Sequence, residues 1–366
     1  MTFIKEILTE LEKLAPLPYQ EDYDNAGLLV GAPDTEVTGI LFTLDITEDI
    51  VDEAIRRQCN LIVAHHPIIF KGLKKLNGKN YVERTVIKAI KNDIALYATH
   101  TNLDHVKGGV NWQIAKRLGL QNIKVLAPKR QILSKLAFFC PVENTQEVLQ
   151  ALFEAGAGQI GEYSNCSFRN EGQGTFLPSE NANPVIGDRG ELETVKEHRV
   201  EVMLPSHLQG QVLSALKRSH PYEEVAYYIS ALENENQEVG AGAIGELPEG
   251  MGSTDFLNHL KNSMRASVIK HTEPTGEAIR RVAVCGGAGS FLLRNAISAG
   301  ADAFITADYK YHEFFDAEKR IMICDIGHYE SEVFTKNLLH DYISGKFSNF
   351  ALCLSEISTN PVRYFS

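Results

Sequence analysis

Four short stretches carry side chains able to do chemistry. In AHHPIIF (64–70) a run of small and apolar residues delivers the adjacent imidazoles of His65 and His66 into a turn fixed by Pro67. Neighbours on a straight strand point to opposite faces. Where a strand ends and the chain turns, both rings can approach one centre, and imidazole suits Zn, Fe, Ni and similar ions. A surface turn with two histidines is the plainer reading. In HTNLD (100–104) an imidazole and a carboxylate lie close together, as ligands or as a pair in which one orients the other. An Asx-type turn, with Asn102 or Asp104 bonded to the backbone, would look the same. In GHYESE (327–332), a helix starting near Tyr329 would put His328 and Glu332 four apart on one face, as a metal clip, with Glu330 turned to solvent. An acidic first helical turn, favoured by the helix dipole, is the alternative. In CGGAGS (285–290) the backbone amides around Gly286, Gly287 and Gly289 could hold a phosphate at a helix N-terminus. The stretch lacks the Walker lysine and does not fit GxGxxG, so a tight strand–helix turn explains it equally well.

These stretches fall at the ends of alternating strands and helices. GILFTLDIT (39–47), NLIVAHHP and IALYATH read as buried strands. The helices between and after them are TEDIVDEAIRRQ, with Thr47 as N-cap, YVERTVIKAIKND and GGVNWQIAKRLGL. The last third repeats this grammar: RRVAVCGG, ADAFITAD, RIMICDIG and NFALCLSEI as strands, with helices SFLLRNAISAG, YHEFFDAEK and YESEVFTKNLLHDYIS between them. Such alternation implies a parallel-rich sheet. Between the two lies a βαββαβ order, with SKLAFFCP, NCSFRNEGQGTFLP, ETVKEHRVEVMLP and EEVAYYISALE as strands and an Asn144-capped helix after the first. That is the ferredoxin-like pattern, with 178–191 as an exposed loop. The expected architecture is a split α/β domain, 1–128 and 237–366, interrupted by a ferredoxin-like α+β insert at 129–236. Open α/β sheets bind ligands at the carboxyl ends of their strands. This puts His65, His66, Asp104, His328 and Glu332 together at one end of one sheet. Five ligands exceed the four of a closed zinc site and are too few to saturate two ions. The reading is a dinuclear centre with one bridging carboxylate and open positions, an arrangement that activates water for hydrolysis.

Composition narrows the classes. The 366 residues carry 36 Lys+Arg against 47 Asp+Glu, a net charge of −11, which argues against coating nucleic acid or a polybasic membrane contact. Lys71, Lys74, Lys75 and Lys79 form the one dense basic cluster. No apolar run approaches the ~18 residues of a membrane span. The N-terminus reads as an amphipathic helix rather than a signal peptide, with Glu6, Glu10 and Glu12 where an apolar core should be. Six scattered cysteines without a CxxC pair read as reduced, mostly buried thiols of a cytoplasmic protein.

The stretches YDNAGLLVG (23–31), AHHPIIF, HTNLD, GAGAIGEL (240–247), CGGAGS, TADYKYHE (306–313) and GHYESE, in this order, resemble the NIF-three-like (Ngg-interacting-factor-three-like) family, also catalogued as GTP cyclohydrolase 1 type 2 homologues. Near TADYKYHE the family form is closer to TGDxxYHD, so Ala307 and Glu313 depart from it. SHPYEEVAYYI (219–229) is similar to the signature of CutA-like and PII-like trimeric domains. The resemblance implies a dinuclear metal site at His65, His66, Asp104, His328 and Glu332, with Glu332 as the bridge. It also implies a toroidal homohexamer. It places Asp308, Tyr311 and His312 in a motif near the site.

The function expected is that of a metal-dependent hydrolase of a nucleotide-like or phosphorylated small molecule. Two divalent ions per chain, zinc first and Fe, Mn or Co next, would be its cofactors. His100 or His312 would shuttle protons, and the glycines at 286, 287 and 289 would contact the substrate. The alternative is a non-enzymatic, metal-loaded oligomeric scaffold that senses a small molecule. His198, His207 and His220 of the insert match no metal motif and read as packed or solvated side chains.

Overall fold

In a computed structural model the described residues are 1–276 and 278–365. The chain forms two compact units, Met1–Ala127 with Glu238–Ser366, and Pro128–Gln237. In chain order the first stretch carries β1 (Gly27–Val30), β2 (Gly39–Thr43), β3 (Leu61–Ala64), β4 (Ala95–Ala98) and β5 (Gln121–Lys129). The middle carries β6 (Leu133–Pro141), β7 (Phe168–Phe176), β8 (Glu193–Pro205) and β9 (Tyr227–Leu232). The last stretch carries β10 (Asn236–Met251), β11 (Lys270–His271), β12 (Ile279–Ala288), β13 (Ala303–Ala307), β14 (Met322–Asp325) and β15 (Ala351–Leu354).

The first unit, the body, holds two mixed sheets rather than one. The first has the order β1-β4-β3-β2-β15, parallel throughout except for β1. The second has the order β11-β14-β13-β12-β10-β5, with a parallel centre β14-β13-β12 and antiparallel β11 and β10 beside it. Every residue of β2, β3, β4, β13 and β14 is buried. Burial on both faces explains why these strands read as continuous apolar runs. The helix Glu48–Arg56 starts at Thr47, whose hydroxyl accepts the Ile50 amide at 3.4 Å. Asn80 caps Tyr81–Lys91 in the same way at 2.9 Å. Leu41, Ile50, Ile62 and Leu96 centre the core of the first sheet, and Ala283, Phe304 and Ile323 that of the second. The expected helix at YHEFFDAEK is a 3-10 helix, Tyr311–Ala317. Among the described residues no helix is long and apolar enough to cross a membrane.

The second unit, the insert, is one antiparallel sheet of order β7-β8-β6-β9, with helices Thr145–Glu154 and Gln209–Ser219. The outer strands are therefore the second and fourth of its βαββαβ sequence, the split arrangement expected of that order. Phe138, Val148, Leu152, Val200, Val212 and Leu216 form its core. Asn144 stands at the N-cap of Thr145–Glu154 but makes no side-chain cap bond. Instead the Thr145 hydroxyl donates to the Pro141 carbonyl at 3.1 Å.

Candidate metal centre

Three loops of the body meet. β3 ends at Ala64 and the chain turns at once, with the His65 and His66 amides both donating to the Leu44 carbonyl. That turn frees both rings from the strand's alternation. After β4, the helical turn Thr101–Asp104 presents Asp104. Here Asn102 takes the turn-forming role, accepting the His100 amide at 2.8 Å, which leaves Asp104 for the centre. After β14, Gly327, at φ 92°, reverses the chain into the short helix His328–Glu332. The five expected ligands thus come from the carboxyl ends of two sheets, not one: the helix bearing His328 and Glu332 follows a strand of the second sheet. Glu330 is not solvated as expected. It is buried and accepts Asn360 Nδ2 at 3.2 Å.

The donor atoms form two sets that share one carboxylate. His66, His328 and Glu332 form one set, and His65, Asp104 and Glu332 the other. Glu332 Oε2 lies 2.9 Å from His66 Nε2 and 3.0 Å from His328 Nε2, while Oε1 lies 3.8 Å from His65 Nε2. His65 Nε2 is 3.7 Å from Asp104 Oδ1. Both of these atoms are buried, and neither has a hydrogen-bond partner among the described residues. Buried polar atoms are rarely left so, and an ion that both could ligate accounts for them.

What turns each ring is the contact at its other nitrogen. Nδ1 of His65 donates to the Thr99 carbonyl at 2.8 Å, that of His66 to Asp45 Oδ1 at 2.7 Å and that of His328 to Asp308 Oδ2 at 2.7 Å. Oxygen acceptors at Nδ1 fix the tautomer and aim Nε2 at the centre, the usual support of ligating histidines. Asp308 does this from a left-handed backbone, φ 57°. His100, whose ring lies 5.3 Å from that of His65, is held the same way by Asp24 Oδ1 at 2.8 Å. Asp45, Asp24 and Thr99 are contributors the sequence reading missed. Asp45 lies just past the end of β2, beyond Leu44, so the strand-end rule that singled out His65 applied to it too.

The electrostatics describe a cluster bound together by protons. Burial works against the Glu332 carboxylate, but the hydrogen-bonded imidazoles of His328 and His66, with the nearby His65 ring, outweigh it and hold it well below the usual carboxylate range. Burial also opposes charge on His66 and His328. The carboxylates Asp45 and Glu332 raise His66 to about 10, and Glu332 and Asp308 raise His328 to about 9. Burial, then the Glu332 charge, pushes Asp104 up. A divalent ion does the same neutralising work and displaces those protons. The donor set therefore fits metal.

The glycine stretch acts by its shape. The Gly286 amide donates to Asn111 Oδ1 at 2.9 Å and the Gly287 amide to Ser331 Oγ at 3.0 Å. Two of the three glycine amides expected to cradle phosphate are thus engaged within the protein. Gly287 adopts φ +61°, and a Cβ there would lie 2.6 Å from Glu332 Oε1. Gly286 and Gly287 line the cavity over the centre, while Gly289 packs on Cys285 and Thr306. That cavity, of about 1290 Å³, is lined also by His66, His100, Asp104, His328 and Glu332. His312 does not line it: it sits exposed on the 3-10 helix, stacked on Phe315 at 6.4 Å.

The whole chain has relatives. A "GTP cyclohydrolase 1 type 2 homolog" of Bacillus subtilis (strain 168) is 37% identical over 98% of each chain. A solved Bacillus cereus protein related to NIF3 is 39% identical, covers 100% of this chain and 99% of its own, and superposes with a TM-score of 0.87. A Staphylococcus aureus protein does so at 31% identity, with coverage of 100% and 99% and a TM-score of 0.79. Residues 2–361 match the family described as Duf34/NIF3 (NGG1p interacting factor 3). This chain belongs to the DUF34/NIF3 family.

Proposed function

We propose that the body holds two divalent ions at His65, His66, Asp104, His328 and Glu332, and uses them in hydrolysis of a small molecule. The observation that carries this reading is the pair of donor sets joined through Glu332, with every ligating imidazole fixed at Nδ1. Zinc is the first ion to test; Fe, Mn or Co suit the same donors. Bound there, a pair of divalent ions supplies Lewis acidity and an acidified water for hydrolysis.

The protein's own residues do the rest. Asp45 and Asp308 hold His66 and His328 in the ligating tautomer. His100 lines the cavity with its Nδ1 proton fixed on Asp24, and is the group we assign to carry a proton to or from the substrate. The name of the Bacillus subtilis relative makes GTP one substrate to try. The strand order of the insert is compatible with a CutA-like or PII-like module; a cytoplasmic homohexamer belongs to the same proposal and rests on the family resemblance and the cysteine pattern alone. A sensing scaffold is the second reading, favoured by that same insert.

The test is ion content and turnover on one preparation. About two ions per chain in the wild type, with ions and turnover lost together in Glu332→Ala, is the expected result. Two ions with no hydrolysis of any nucleotide, nucleoside or phosphoester would favour the scaffold. No bound ion after reconstitution would overturn both.

A further inference from the structure

We infer that the body carries a second binding site, for the phosphate group of a phosphorylated small molecule, in the cavity where Arg117 and Arg265 meet over Phe334. None of the residues lining it lines the cavity over the metal centre, and the inference does not depend on the two-ion reading.

Three helices of the body build the site. Gln113 and Arg117 lie on Val110–Arg117, Arg265 ends Ser253–Met264, and Phe334 opens Thr335–Ser344, which carries Asn337 and Asp341. The cavity they line has a volume of about 520 Å³, within the range of about 300–1,000 Å³ usual for small-molecule sites. The Arg117 guanidinium lies on the Phe334 ring, 3.3 Å from its centroid, and that of Arg265 lies 5.8 Å from the same centroid. A cation at a helix C-terminus is ordinary, and so is one guanidinium on a ring. Two on one ring repel each other, and burial, then the Arg265 charge, lowers the pKa of Arg117. Arg265 also holds φ 53°, the left-handed position after a helix that glycine or asparagine ordinarily takes.

The donors here are unspent. Arg117 Nε donates to the Ser263 carbonyl at 3.3 Å, which fixes the fork. Among the described residues neither guanidinium has an ion-pair partner, and the side-chain amides of Gln113 and Asn337 have no hydrogen bond. The other polar groups of the wall are engaged. Asp341 Oδ1 accepts His340 Nδ1 at 2.9 Å, and the Tyr342 ring faces Lys346, itself paired with Glu10. Even with Asp341 set against them, the two arginines leave the wall positive. Two guanidinium forks and two free amides match the several oxygens and double charge of a phosphate monoester. A carboxylate, with two oxygens and one charge, engages fewer of them.

Calorimetric titration with inorganic phosphate, glycerol phosphate and acetate, before and after chelation of any bound ions, tests this. Both phosphates are expected to saturate one site that survives chelation, with acetate weaker by about tenfold or more. Arg265→Asn is expected to weaken both phosphates about tenfold or more, the cost of losing a hydrogen-bonded charge. Thermal melting should show this variant folded, since asparagine suits the left-handed backbone. Arg117→Lys keeps the charge without the fork, and should weaken them by a similar factor. Binding that vanishes on chelation would place the anion at the metal centre and overturn the inference. So would the absence of saturable phosphate binding, binding of inorganic phosphate without the ester, equal binding of acetate, or unaltered affinity in both variants.

Discussion

The histidines of the body and those of the insert obey different rules. In the body, His65, His66 and His328 each give Nδ1 to an oxygen and turn Nε2 toward the same place. In the insert, His220 uses both nitrogens: Nε2 donates to the Phe139 carbonyl at 2.8 Å, and Nδ1 accepts the Tyr222 amide at 3.1 Å. His198 meets the Thr145 hydroxyl at 3.0 Å. A ring spent at both nitrogens is a neutral packing element. A ring fixed at one nitrogen, with the other facing further donors and a shared carboxylate, is a ligand. The difference lies in the partner of the second nitrogen, which residue type and spacing do not reveal.

The severest challenge to this contrast is Glu332→Ala. Both donor sets lose their common member, so ion content is expected to fall from about two per chain to near none by elemental analysis. Retention of both ions would mean that the convergence does not bind metal. Gly287→Ala asks the same question sterically. Its Cβ would fall 2.6 Å from Glu332 Oε1 at φ +61°, so ion content should drop. The left-handed backbone adds a stability loss of about 1–2 kcal/mol, measurable by thermal melting. Gly108 also has positive φ, but with open space around its Cβ position. Gly108→Ala should therefore lose stability and keep its ions.

Much of this was legible in the sequence. The alternating apolar runs gave the strands, because β2, β3, β4, β13 and β14 are buried on both faces and tolerate few polar residues. The βαββαβ order of the insert was readable for a different reason: β8 alternates buried and more exposed residues along its second half, the period of a half-buried strand. The division of the body into two sheets was not, since β15 adds to the first sheet beside β2 from the far end of the chain, and local periodicity holds no record of such a crossing. Ligand types were legible at strand ends; their supports were not. Asp45 follows a strand like any other acidic residue, and only the 2.7 Å contact with His66 shows what it does. His312 misled because it shares the TADYKYHE stretch with Asp308. Asp308 reaches His328, whereas the 3-10 helix carries His312 away from the cavity.

The supports give the next prediction. Asp45→Asn and Asp308→Asn keep shape but remove the charge that holds Nδ1–H. Ion affinity should fall about tenfold to a hundredfold, the usual cost of losing such a partner, read by competition with a chelator. Asp45 is also bound by the Thr359 hydroxyl, so Thr359→Val should produce a smaller loss in the same direction. If neither aspartate variant changes affinity, the Nδ1 contacts are packing, and the distinction from the insert collapses.

The smallest effect belongs to the insert. Burial lowers the pKa of His220 below the ordinary imidazole value, despite the Phe139 hydrogen bond and the Glu197 charge, which favour the protonated form. Protonation would also set an N–H at Nδ1 against the Tyr222 amide. The unfolded chain therefore takes up this proton at a higher pH than the folded one. Stability from this group is intact above the unfolded value of ~6.5 and falls as the pH drops below it, by up to about 1.4 kcal/mol per pH unit. His207 is also lowered by burial and adds a slope of the same sign. His220→Gln isolates the His220 share, since an amide can donate to Phe139 and accept from Tyr222 without titrating. Hydrogen exchange of the β6 amides at pH 7.5 and 5.5 should show a shallower loss of protection in this variant than in the wild type. Equal slopes would mean that His220 titrates freely, and that the insert's histidines are less committed to packing than their geometry indicates.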